Sequence, residues 1–116
     1  MKRISLTLSA LALACAAQAA SLNVGCFNIR FQTASDQGDL DWNNRKEYVA
    51  RTITEYGYDI VGINEMRVAQ QLPDMKAMLP GYTFSGWGSD SATDPYTGTF
   101  YAVLFRTDLF DLLDEG

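Results

Sequence analysis

Two polar side chains fall where this chain could do chemistry. Asn28 stands near the end of the apolar run Ser21 to Ile29, and Glu65 stands just past the apolar run Tyr58 to Ile63. An amide oxygen beside a carboxylate is a partial shell for a hard divalent cation such as Mg²⁺, which takes one or two carboxylates and keeps several waters. The plainer alternative is that Asn28 caps a turn and Glu65 is solvated at a helix start; spacing alone leaves both open. The absence of histidine from the 116 residues narrows the chemistry. It excludes a Ser-His-Asp triad, a Cys-His pair, a histidine metal site and an imidazole general base within this chain. Catalysis here must run on carboxylates, amides, hydroxyls or a bound metal.

Bringing Asn28 to Glu65 requires neighbouring strands. In Ser21 to Ile29, Leu22, Val24, Cys26 and Asn28 alternate with Asn23, Gly25, Phe27 and Ile29. Apolar groups on both faces suit a central strand covered on each side. Arg30 to Asp41 is polar, contains Gly38 and reads as a loop. A helix capped by Asn43 or Asn44 follows to about Tyr56, with Val49, Ile53 and Tyr56 on one face and Gly57 placed as its C-terminal glycine. Tyr58 to Ile63 is then a second strand. Strand, helix, strand makes a right-handed parallel crossover, whose strand C-terminal ends line the crevice where ligands bind. Both candidate residues lie at that edge.

A second helix is expected from Pro73 to Leu79, ended by Pro80-Gly81. Tyr82 to Trp87 and Thr99 to Arg106 read as strands separated by a turn-rich segment, and Leu109 to Leu113 as a further short strand. Interleaved helices and strands define an α/β or α+β class. Tyr101, Val103 and Phe105 alternate with Phe100, Ala102 and Leu104, so a lone sheet would leave an apolar face exposed.

Residues 1–19 read as a secretory signal peptide: Lys2 and Arg3 precede the apolar stretch Ile4 to Leu13, and Ala17-Gln18-Ala19 supplies small residues for cleavage. Export to the periplasm or the extracellular space is expected, with no stable membrane anchor after cleavage. Cys15 follows Ala12-Leu13-Ala14, a poor match to a lipidation signal. Cleavage leaves seven basic against fourteen acidic side chains, moving the formal charge from −5 to −7. That balance disfavours non-specific nucleic-acid binding, although a bound cation can reverse the field locally. Cys26, the one cysteine then remaining, has no partner for a disulfide and reads as a small buried core residue.

Several segments in register carry a resemblance. Phe27-Asn28-Ile29-Arg30-Phe31, Trp42-Asn43-Asn44-Arg45 and Tyr58-Asp59-Ile60-Val61-Gly62-Ile63-Asn64-Glu65 resemble the opening of the endonuclease/exonuclease/phosphatase superfamily, the DNase-I-like fold. The likeness continues through Gln71, Leu79-Pro80-Gly81-Tyr82 and Tyr101-Ala102-Val103-Leu104-Phe105-Arg106. It implies an α/β fold of the α+β sandwich type, with residues 20–116 forming the first half of a four-layer α-β-β-α arrangement: one mixed sheet with helices on its outer face. It also implies metal-dependent hydrolysis of phosphodiester or phosphomonoester bonds. Glu65 would hold Mg²⁺ or Mn²⁺, Asn28 would orient the phosphate or the attacking water, and Arg67 would lie near the substrate phosphate. Trp42 and Arg45 match a Trp-x-x-Arg signature read as structural.

The sequence departs from the family pattern in places. Asn64 stands where relatives usually have glutamine, and Gly98-Thr99 where many read Gly-Glu. The family's later Asp-x-Asn segment and Asp-His pair have no counterpart among these residues, so Glu65 is expected to be an isolated metal ligand without a general base. The expected function is that of an exported phosphoesterase half-domain, inactive alone and partnered by the missing C-terminal half. A small or lipid-linked phosphate ester is favoured as substrate over bulk nucleic acid. The alternatives are a non-catalytic exported binding module, using Tyr82, Phe84, Trp87, Tyr96, Phe100 and Tyr101, and a fragment that does not fold alone.

Overall fold

The computed structural model describes residues 20–88 and 94–115. The expected signal peptide and part of the turn-rich segment, residues 89–93, lie outside the described residues. In chain order the elements are β1 (Val24–Asn28), a short 3₁₀ turn (Gly38–Leu40), α1 (Trp42–Glu55), β2 (Ile60–Arg67), α2 (Gln71–Met78), β3 (Tyr82–Gly88) and β4 (Thr99–Arg106). The four strands form one mixed sheet in the order β1-β2-β4-β3. β1 and β2 are parallel, with Asn28 opposite Asn64, while β4 runs antiparallel to both β2 and β3.

The crossover forms for the reasons its sequence contains. α1 presents Val49, Ala50 and Ile53 to the core, and Gly57 closes the helix end at φ +62°, a conformation that favours glycine. The helix begins earlier than expected. Asp41, not Asn43 or Asn44, is the cap, its carboxylate accepting the Asn43 N–H at 2.8 Å. The choice is tertiary: Gln32 Oε1 accepts the Trp42 N–H at 2.6 Å and holds the first helical residue in place. α2 likewise starts two residues ahead of the expected Pro73, at Gln71, because the Gln71 side chain is anchored beneath the strand ends.

The core lies on one side of the sheet. Val61, Ile63 and Met66 of β2, with Phe100, Ala102 and Leu104 of β4, pack with Trp42, Ile53, Met75 and Leu79. Among the described residues no helix covers the opposite face, and three expectations change there. β1 is an edge strand rather than a central one, and its Val24–Cys26 face is exposed rather than covered. Cys26 is therefore exposed rather than buried, in a row with Gly62 and Val103. Leu109 to Leu113 forms no strand; the segment instead lies beside Ile60, Val103 and Phe105 of the open face. Val24 (60%), Tyr101 (48%) and Val103 (48%) stay exposed there, as the alternation in β4 required. The aromatic residues divide accordingly: Phe100 is core, Tyr82 and Phe84 pack against it, and Trp87, Tyr96 and Tyr101 face solvent.

Candidate functional site

Asn28 ends β1 and Glu65 lies near the end of β2, at the same edge of the sheet. The parallel ladder continues one residue past Asn28, where the Ile29 N–H donates to Asn64 O at 3.1 Å. Asn28 Oδ1 accepts the Arg30 N–H at 2.8 Å, and Arg30 adopts φ +56°. Asn28 thus caps a turn, in line with its plainer reading, and its Nδ2 is free of protein partners among the described residues.

Glu65 is positioned by a feature with no counterpart in the hydrophobic pattern. The β2–β4 register shifts between Ile63 and Met66, so two residues, Asn64 and Glu65, occupy the interval between two core-facing side chains. Such a bulge re-aims a side chain and is common beside active sites. Glu65 itself sits at φ +59°, one of two non-glycine residues with positive φ among the described residues. That conformation is unfavourable for an L-residue, and strain of this kind concentrates at functional positions. Its half-buried carboxylate has no hydrogen-bond or ion-pair partner among the described residues.

The loop after β1 is built around a carboxylate that sequence reasoning missed. Asp36 takes Arg30 in a two-pronged ion pair at 2.7 and 2.9 Å and accepts the Thr33 N–H and hydroxyl at 2.9 and 2.8 Å. The Arg30 hydrogen bond, then the Thr33 N–H, hold the Asp36 carboxyl well below the ordinary aspartate value. In return the Asp36 bond raises the pKa of Arg30, and the charge of Glu65 adds a smaller push in the same direction. Arg30 is thereby a fixed cation near Glu65. An acid in a polar loop carries no sequence signal for this.

Arg67 ends β2. Its Nε donates to Gln32 O at 3.1 Å and its Nη1 to Gly98 O at 3.4 Å, while the guanidinium stacks over Phe31 at 4.3 Å. The side chain joins two loops, and Nη2 has no partner among the described residues. Trp42 is fully buried, with its Nε1 donating to Asp74 at 2.8 Å. Arg45 donates to Ile29 O and, at 2.5 Å, to Arg30 O, tying α1 to the end of β1. Both therefore have the structural part read for them.

The donor set fits a divalent cation in part. Glu65, a carboxylate without a hydrogen-bond partner among the described residues, follows Asn64, the residue that pairs with Asn28 across the parallel ladder, and hard oxygen donors are what Mg²⁺ prefers. Among the described residues no group of three or more Asp, Glu, Cys or His side chains could enclose a metal.

A mixed sheet with a parallel crossover, helices on one face and an unpartnered carboxylate at the strand ends defines the class. The chain belongs to the endonuclease/exonuclease/phosphatase family, whose description it matches over residues 20–114. Among solved structures it is similar to a mannosyl-6-phosphatase from Bacteroides thetaiotaomicron, at 38% identity and TM-score 0.71, covering 83% of this chain and 35% of that one. An endonuclease/exonuclease/phosphatase family protein from the same organism matches at 37% identity and TM-score 0.69, over 82% of this chain and 34% of that one. A further member from Bacteroides vulgatus matches at 34% identity and TM-score 0.64, over 77% of this chain and 33% of that one. The chain thus spans about a third of the length of the solved structures it matches. No match was found among curated proteins. The family is generally dependent on divalent metals.

Proposed function

We propose that this chain is the N-terminal part of an exported, metal-dependent phosphoesterase that does not turn over substrate by itself. Glu65 is the metal ligand, for Mg²⁺ or Mn²⁺; Asn28 orients the phosphate through its free Nδ2; Arg67 offers its unused N–H groups to a phosphate oxygen. When bound, the cation supplies Lewis-acid polarisation of a phosphoryl oxygen and stabilises charge on the leaving oxygen. The observation that carries the reading is the Glu65 carboxylate, held at positive φ in a bulge beside Asn28 and engaged by no protein group among the described residues. A carboxylate kept strained and unpartnered is poorly explained by stability.

Coverage supports incompleteness, since the chain spans about a third of the length of the solved structures it matches. Hydrolysis needs a base to take the proton of the attacking water, and the sequence has no histidine to serve. The missing C-terminal half would supply that base and the remaining ligands. A small or lipid-linked phosphate ester suits the acidic charge balance better than bulk nucleic acid does, and one similar structure is described as a mannosyl-6-phosphatase. Export rests on the pattern of residues 1–19.

The test uses the purified chain with residues 1–19 removed and the same chain carrying Glu65→Gln. Titration with Mn²⁺, followed by paramagnetic broadening in ¹H–¹⁵N spectra, should broaden Asn28, Asn64 and Glu65 first, and Glu65→Gln should abolish the effect. Hydrolysis of generic phosphomonoesters and phosphodiesters with Mg²⁺ should stay at background. Robust turnover lost on Glu65→Gln would overturn the incompleteness; absent broadening at Glu65 would overturn the metal role.

A further inference from the structure

The most deeply buried polar side chain among the described residues is Gln71, with none of its surface exposed. It is the first residue of α2 and lies beneath the edge that carries Asn28 and Glu65. Its Oε1 accepts two backbone N–H groups, from Gln32 at 3.1 Å and from Arg67 at 3.0 Å. Its Nε2 donates to Arg30 O at 3.1 Å. Arg30 and Gln32 belong to the chain leaving β1, and Arg67 is the last residue of β2. One carboxamide therefore joins both strand ends. Asn28 lies two residues before one anchor point and Glu65 two residues before another.

We propose that Gln71 is a positioning residue for the Asn28–Glu65 site, setting the separation of the two strand ends and holding β2 in its bulged path. The proposal rests on the reading of that site given above. Buried backbone groups with fixed partners resist displacement, because water cannot replace the lost bond. Glutamine suits this position because one planar group carries both a donor and an acceptor with two lone pairs. Glutamate would keep both accepted bonds but set an oxygen against Arg30 O. Leucine would fill similar space with no bonds at all. Arg67 Nε adds a parallel link to Gln32 O, from a half-buried position that water can reach.

The experiment compares the chain with Gln71→Leu and Gln71→Glu, by thermal melting, amide exchange and ¹H–¹⁵N spectra with and without Mn²⁺. In folded Gln71→Leu the Gln32 and Arg67 amides should exchange at least about tenfold faster, the change expected for one lost hydrogen bond. The Asn28 and Glu65 resonances should move, and the Mn²⁺ concentration that broadens Glu65 should rise by roughly fivefold or more, a loss on the order of one ordinary hydrogen bond. Gln71→Glu should restore protection at Gln32 and Arg67 and leave Arg30 displaced. Unchanged Asn28 and Glu65 resonances in folded Gln71→Leu would overturn the proposal. So would loss of a cooperative melt in both variants, because the glutamine would then be holding the whole fold. If the unsubstituted chain shows no Mn²⁺ effect at Glu65, the metal role fails by itself; the shifts at Asn28 and Glu65 still decide what Gln71 does.

Discussion

Glu65→Gly should stabilise this protein. Glycine in a strand is ordinarily unfavourable by roughly 0.5–1 kcal/mol, because the unfolded chain gains freedom. At φ +59° the balance reverses. An L-residue in the left-handed region is disfavoured by about 1–2 kcal/mol, and glycine is relieved of that strain. The carboxylate has no partner among the described residues, so its removal forfeits little. The net expectation is a gain of about 0.5–1 kcal/mol, or several degrees in melting temperature for a domain of this size. Glu65→Ala keeps the strain and should stay within about 0.5 kcal/mol of the parent. Urea unfolding followed by far-ultraviolet circular dichroism measures both, provided the slopes match. The same Glu65→Gly protein should have lost Mn²⁺-dependent broadening at Asn28. A Glu65→Gly variant no more stable than Glu65→Ala would refute the claim that strain is stored at the carboxylate.

Two further outcomes follow from the described contacts. Trp42→Ala should destabilise the protein by about 4 kcal/mol, as for other buried Trp truncations, whereas Trp42→Phe should cost about 1–2 kcal/mol through the lost bond to Asp74; a Trp42→Phe protein as stable as the parent in urea unfolding would dismiss the hydrogen bond. Asp36 has a depressed folded-state pKa, so its contribution is present above its ordinary value of 3.8 and is lost as pH falls below it. Unfolding curves should therefore change little between pH 7 and about pH 5 on this account and weaken below about pH 4. Asp36→Asn should flatten that acid limb, and an unaltered limb would count against the Arg30–Asp36 pair.

The crossover is legible in the sequence because its signals are local. The spacing of Val49 and Ile53 and the placement of Gly57 each belong to one helix, and β4 matches its expected bounds because its alternation is unbroken. The departures arise where distant contacts decide. Three residues near the start of α1 could cap it, and Gln32, ten positions before Trp42, selects Asp41. Apolar groups on both faces of β1 do not say which face a helix covers, so Cys26 lies exposed where burial is expected. The positions of Asn28 and Glu65 at one edge follow from the topology. The bulge that turns Glu65 out of alternation, and the Gln71 amide that spans the strand ends, leave no periodic trace.

The sheet order has a kinetic consequence. The inner ends of the β3–β4 hairpin, Gly88 and Phe100, are twelve positions apart, whereas Asn28 and Asn64 are thirty-six apart. Closing the longer loop costs about 1 kcal/mol more in chain entropy on logarithmic scaling. The hairpin can thus organise from its own neighbourhood, while the parallel pair must wait for α1 to bring β2 back beside β1. Asn28 and Glu65 meet only through that slower, non-local step. The candidate chemistry therefore depends on a pairing that neither the hairpin nor α1 supplies from its own neighbourhood.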